Sequence, residues 1–294
     1  MKITGLTKLA GAGALALYTS VSAHAASVAQ PGLTDGIATG TPLAPGWYFI
    51  DTFDWGVRST SPRSQLGVNV PLVVWSTPWT PLGARLHLLA AIPQAESGTF
   101  GTAETGGAFN AGLFNPLLAG QLAWDLGRTG WGFSYQFGAF FGISSPVADP
   151  NTSLINQFAL SYTRDGWNLT AAATIGTQTA TPVVFGDYFN LDLTATKKFG
   201  NWEIGMVGFA SSDIGNLPAA QALLVGRQSQ FALGGLVGYD FGPVILQAYA
   251  TRDVAESGYG GFDTRVWGRI IIPFLDPPPG GVAPTTLSPG IIRK

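Results

Sequence analysis

The chain has 294 residues, with 15 basic and 17 acidic side chains, 11% charged, 46% hydrophobic and 12% aromatic residues, and no cysteine. The acidic balance excludes the basic patch that a nucleic-acid partner needs, and the missing cysteine excludes disulfides, thiolate metal sites and lipoprotein acylation. Water-soluble domains carry about 25% charged residues, so charge this sparse calls for a non-aqueous neighbour.

Residues 1–25 read as a secretory signal, with Lys2 and Lys8 ahead of an apolar run from Leu9 to Val21 and the small-residue site Ala23-His24-Ala25. Cleavage there removes two lysines and makes the chain two charges more negative than its −2. Residues 26–45 are rich in Gly, Pro and Thr and read as a periplasmic lead-in. Period-two runs then predict about twelve strands, an even number as in single-chain bacterial barrels. They fall at 46–57, 65–76, 82–92, 115–126, 131–143, 153–164, 167–177, 188–199, 202–211, 228–240, 243–253 and 262–274. Residues 275–294 open on Asp276-Pro277-Pro278-Pro279-Gly280-Gly281, which cannot pair into a sheet and reads as a disordered tail.

Short and long connections alternate along this series. The short ones carry aromatic residues at the ends of the flanking strands: Trp124 and Trp131, Tyr162 and Trp167, Phe199 and Trp202, Tyr239 and Phe241, and less regularly Trp75 and Trp79. Together with Phe274 near the end of the last strand, these predict an aromatic girdle. Short turns at one end, long loops at the other and interfacial aromatics define a closed, all-β, up-and-down antiparallel barrel in an outer membrane, with both termini on the periplasmic side. A soluble β-sandwich also alternates, but it leaves the girdle and the low charge unexplained.

The two faces of individual strands support the membrane reading. Over 188–199, Phe189, Leu191, Leu193 and Ala195 alternate with Asn190, Asp192, Thr194, Thr196 and Lys198. In the last run Val266, Gly268, Ile270 and Ile272 alternate with Arg265 and Arg269. A basic side chain facing lipid at the midplane costs about 2–4 kcal/mol, so the charged face belongs inside. The expected lumen-lining and permeation-path residues are Arg85, His87, Gln121, Asp192, Lys198, Asp263, Arg265 and Arg269, joined by Asp253 and by Gln136, Gln157, Gln230 and Gln247. About twelve strands enclose a narrow bore. The Gly/Ala/Thr-rich stretch 93–114 is the candidate constriction, its alternative being an exposed mobile loop.

Pro45-Gly46-Trp47-Tyr48-Phe49-Ile50-Asp51, Gly186-Asp187-Tyr188-Phe189-Asn190-Leu191-Asp192 and Arg269-Ile270-Ile271-Ile272-Pro273 resemble the outer-membrane family labelled "MetA-pathway of phenol degradation". That resemblance implies a barrel linked to catabolism of aromatic or other hydrophobic compounds, with a role in their uptake and no catalytic residues to carry over. The chain departs from typical outer-membrane barrels in that 20 residues follow Phe274.

Catalytic chemistry has little to build on. His87 is the one histidine after the signal, and a Ser/His hydrolase would have to use it, yet no nucleophile elbow accompanies it. For Ca²⁺ the nearest candidate, Asp149-Pro150-Asn151, is more simply a turn. The expectation is therefore no enzyme, no cofactor and no metal. Expected partners are outer-membrane lipid, small-molecule solutes and, during biogenesis, the barrel assembly machinery. The function expected is passive uptake of small, hydrophobic or aromatic organic compounds, the alternative being a non-transporting structural or adhesive barrel that acts through its extracellular loops.

Overall fold

The computed structural model describes residues 27–101, 107–127 and 129–275; the signal segment and the tail lie outside the described residues. Fourteen strand segments follow in chain order: β1 Gly46–Arg58, β2 Ser64–Ser76, β3 Arg85–Ala91, β4 Gln94–Thr99, β5 Ala108–Leu113, β6 Leu117–Asp125, β7 Trp131–Phe140, β8 Ser153–Tyr162, β9 Trp167–Gln178, β10 Tyr188–Phe199, β11 Trp202–Asp213, β12 Ser229–Asp240, β13 Ile245–Ser257 and β14 Asp263–Leu275. All ladders are antiparallel, and β1 pairs with both β14 and β2, so the sheet closes on itself. A closed sheet leaves no edge with unpaired N–H and C=O groups, which is what a membrane demands.

Fourteen segments make twelve wall strands. β3 and β4 pair in one register with β2, and β5 and β6 together flank them on the other side, so each pair is one strand interrupted near a proline. This corrects the expectation for 93–114. Residues 94–99 and 108–113 extend the wall as a hairpin and do not fold inward.

Short connections at 126–130, 163–166, 200–201 and 241–244 gather at one end. Asp165 and Gly166 both have positive φ, at 56° and 79°, the two-residue turn that matches strand twist and explains an Asp-Gly pair there. The longest described connections, 141–152, 179–187 and 214–228, gather at the other end, and the last holds α1, Ala219–Leu224. Among the described residues no helix is long and apolar enough to cross a membrane; crossing falls to the strands.

The outer face is apolar. Phe158, Leu160, Leu169, Ile204, Met206, Val237, Leu246, Val266 and Ile270 are exposed, and their neighbours Asp192, Arg265 and Arg269 are buried. At the short-turn end the expected aromatics form clusters: Trp131 against Tyr162 at 5.2 Å between ring centres, Trp202 against Tyr239 at 4.8 Å, and Tyr239 against Phe241 at 4.5 Å. Trp124 stacks on Phe133, Lys197 lies over the rings of Trp167 and Phe199, and Trp47 stacks on Trp75 at 5.3 Å. Phe274 belongs to β14, and its side chain lies outside the described residues.

Candidate functional site

The stretch 27–44 was expected outside the barrel and lies inside it. It runs down the lumen from the long-loop end to the start of β1, and the wall satisfies its backbone residue by residue. Near the top, Ala29 N–H donates to the Tyr188 hydroxyl at 3.2 Å, and Asn190 Nδ2 donates to Ala29 O at 2.8 Å. Asp192 then accepts three hydrogen bonds: from Gly32 N at 2.8 Å, Thr34 N at 3.0 Å and Thr34 Oγ1 at 2.7 Å. Gly36 N donates to Thr194 Oγ1, and Gly36 O receives Asn168 and Gln247. Lower down, Thr39 O accepts from Gln121 and Ser134, Gly40 N donates to Ser161, and Leu43 N donates to His87 Nε2 at 3.3 Å. An irregular backbone buried in a barrel must be paired in this way, because no ladder satisfies it.

Composition explains why this segment fits. Gly32 and Gly36 adopt φ of +83° and +81°, and a Cβ on Gly32 would sit 2.7 Å from the Phe209 ring. Only glycine allows both that backbone and that approach. What reads in sequence as a loose Gly/Thr lead-in is a plug shaped to its wall.

Arg269 holds the centre. It is 1% exposed and donates to Leu33 O at 2.6 Å, Thr52 Oγ1 at 2.9 Å, Gln247 Oε1 at 3.0 Å and Tyr249 OH at 2.9 Å, and it also reaches Asp35 O. Nearer the long-loop end, Arg265 pairs with Asp54 and with Asp263 at 3.0 Å, and Arg58 pairs with Asp253 at 3.1 Å and donates to Gln230. At the short-turn end Lys198 faces Asp240 at 3.8 Å, and Arg85 donates to Thr77 O. The structure thus joins Asp192 and Arg269 through the plug, and Asp263 with Arg265, while Arg85 and Lys198 stand apart from both groups.

His87, expected to line the lumen, belongs to a neutral hydrogen-bond network. Its Nδ1 meets Gln121 Oε1 at 2.7 Å while Nε2 accepts from Leu43, so the partners assign the Nδ1–H tautomer. Both ring nitrogens are committed, and neither is free to take a proton from a nucleophile. His87→Ala is expected to cost about 1–3 kcal/mol by leaving the Leu43 N–H and Gln121 Oε1 unpaired. Thermal unfolding in detergent checks this, and ester hydrolysis should stay at background before and after.

A cavity of about 200 Å³ remains between plug and wall. One side is apolar: Ile50 of β1, Val70, Leu72 and Val74 of β2, Leu89, Leu117, Phe140 and Ile155. The other carries Gln121, Gln136, Gln157, Asn168 and Asn190. An apolar cavity of about 150 Å³ holds benzene, so one ring fits here. Above it a smaller apolar pocket is lined by Val28, Val68, Pro93, Phe114 and Phe185, and Phe114 and Phe185 meet edge to face at 5.9 Å. Asp149 fastens this lid through Oδ1 to Asn151 N at 2.9 Å and Oδ2 to Phe185 N at 3.2 Å. Burial pushes its carboxyl above the ordinary range, opposed by these two amides. The Asp149-Pro150-Asn151 turn is therefore a clasp between loops.

The wall beside the cavity has a seam. Pro71, Pro93 and Pro116 lie in adjacent strands, and paired residues resume only at Leu72–Ala91 below and Asn69–Gln94 above. Proline has no N–H to give the ladder. Between β3–β4 and β5–β6 the register also slips by one residue across 114–116. Leu89, just below, borders the cavity on one side and a lipid-facing groove with Ala90, Leu118, Gly120 and Phe137 on the other.

A closed antiparallel barrel, apolar outside and polar inside, with aromatics at its short-turn rim, defines an outer-membrane β-barrel. The chain belongs to the family described as "Putative MetA-pathway of phenol degradation", whose model matches residues 50–270. Among solved structures, the COG4313 outer membrane channel from Pseudomonas putida F1 superposes with a TM-score of 0.62 at 12% identity, over 84% of this chain and all of that one. The beta domain of the Bordetella autotransporter BrkA gives 0.50 at 13% identity, over 78% of this chain and all of that one. Both likenesses establish the fold. No curated protein sequence matches.

Proposed function

We propose that this outer-membrane barrel is a channel for the passive uptake of small apolar and aromatic molecules. The solute enters through the apolar lid, rests in the cavity, and leaves sideways through the proline seam into the bilayer. The observation that carries this reading is the cavity's apolar side, which continues from Phe140 and Leu117 through Val70 and Leu72 to Leu89, a residue that borders both the cavity and the lipid-facing groove. The plug blocks a straight aqueous bore, so a polar solute has no comparable path. In this reading the short-turn end, where β1 begins and β14 ends, faces the periplasm, as bacterial barrels are oriented, and the aromatic clusters anchor that rim; residue 27, expected on the same side, lies at the long-loop end, because the plug runs the length of the lumen before β1 starts.

The test is uptake of radiolabelled toluene by intact Gram-negative cells, whose lipopolysaccharide leaflet sets the baseline. Pro71→Val with Pro93→Val returns two N–H donors to the ladder and should zip the seam. Uptake is expected to fall to that of cells lacking the protein, while ion conductance of the purified barrel stays as it was. Undiminished uptake in the double variant would sink the lateral route, and wild-type uptake no faster than the baseline would sink the channel.

A further inference from the structure

Most polar groups that line the cavity are spoken for. Both Asp192 oxygens are held by the plug, Glu203 accepts from Thr196 and Gln247, Asn190 bonds Ser27, Ala29 and Ser211, and Lys198 faces Asp240. Gln136 is different. It lines the cavity, it is 7% exposed, and among the described residues its carboxamide has no hydrogen-bond partner. Gln157, directly opposite it across the β7–β8 ladder and 8% exposed, spends only its Nε2, on Thr174 Oγ1, and leaves Oε1 free.

These two amides are neighbours by register, since directly opposed side chains on one face stand about 5 Å apart at Cβ. The cavity they line has room for one ring. Leu117, Phe140 and Ile155 close that space on its apolar side. Neither amide is among the fully buried side-chain atoms left without a partner, so both open into the cavity, and a ligand that offers a hydrogen bond there replaces solvent at them.

We infer that Gln136 and Gln157 form a recognition subsite for neutral single-ring compounds bearing a hydroxyl group. This rests on the channel reading above and deepens it. A carboxamide both donates and accepts, and a hydroxyl answers it in both directions: its O–H donates to Gln157 Oε1 or Gln136 Oε1 while its oxygen accepts from Gln136 Nε2. A plain hydrocarbon fills the apolar half but leaves the amides dry. A carboxylate meets no uncommitted cation, and Asp192 and Glu203 line the same cavity, so an anion is disfavoured by like charge.

The test uses the full mature chain in lipid nanodiscs with ¹⁵N-labelled glutamine side chains, the Gln136 amide resonance being assigned through Gln136→Leu. Phenol is expected to shift that resonance saturably, and toluene and benzoate to leave it in place at matched concentration in the disc. With phenol binding to the discs read by equilibrium dialysis, Gln136→Leu should weaken it about tenfold, one to two hydrogen bonds' worth, and Gln157→Leu to a smaller extent. Equal responses to phenol and toluene, or phenol binding undisturbed in both variants, would overturn the subsite and leave the channel standing. Loss of toluene uptake in wild-type cells, with the phenol shift intact, would overturn the channel reading instead.

Discussion

Replacing Asp192 by alanine is expected to release the plug and convert a closed barrel into a conducting one. Its carboxylate accepts from Gly32 N, Thr34 N and Thr34 Oγ1, and hydrogen bonds to a charged acceptor are each worth about 1.5–3 kcal/mol. They are not additive, and a net loss of about 3 kcal/mol raises the unplugged population about a hundredfold, each 1.4 kcal/mol being a factor of ten. Planar-bilayer recordings should then show frequent long openings where the wild type is nearly silent. The wall should survive, because Asp192 contributes nothing to the β9–β10 and β10–β11 ladders except its backbone. A cysteine pair at 34 and 192 provides the internal control: closed when oxidised, open when reduced. A silent Asp192→Ala barrel would mean that the plug is held elsewhere.

Arg269→Met should have the largest effect on assembly. The guanidinium joins two plug carbonyls, Leu33 and Asp35, to Thr52 on β1 and to Gln247 and Tyr249 on β13, the two strands that flank its own. Removing one partner from a buried charged network costs about 3–5 kcal/mol, because the acidic groups it balanced, Asp192 among them, remain. The expected result is loss of the folded, heat-modifiable band on gels and a sharp fall in the urea midpoint. Arg269→Lys should not rescue it, since an ammonium has no planar fork to reach carbonyls and side chains on both sides. Normal folding of Arg269→Met would show that the plug packs without this clamp.

Much of the wall was legible along the chain. Over 188–199 and 262–274 the alternation named the correct inner face, and Arg265 and Arg269 are buried as that pattern required. β2 shows the limit. Leu66, Val68, Val70, Leu72 and Val74 alternate with Gln65, Gly67, Asn69 and Pro71, yet here the apolar set faces the lumen and forms one wall of the cavity. Period two says that two faces differ; the register with β1, where Asp54 and Arg58 point inward opposite Val68 and Ser64, decides which is which. The ion-pair partners Asp54 and Arg58 and the plug ligand Tyr249 escaped for the same reason, their partners lying some 170 to 220 positions away in sequence.

The sequence alone determined the barrel, its twelve-strand count, its aromatic rim and its charged interior, because alternation, turn chemistry and sparse charge are local properties that survive in a linear string. Only the tertiary structure decided that residues 27–44 fill the bore, that 94–99 and 108–113 extend the wall, and that three prolines far apart in sequence line up in one seam. A segment without periodicity has no preferred surroundings of its own. Its place is set by hydrogen bonds to distant strands, and those exist only once the cylinder has closed.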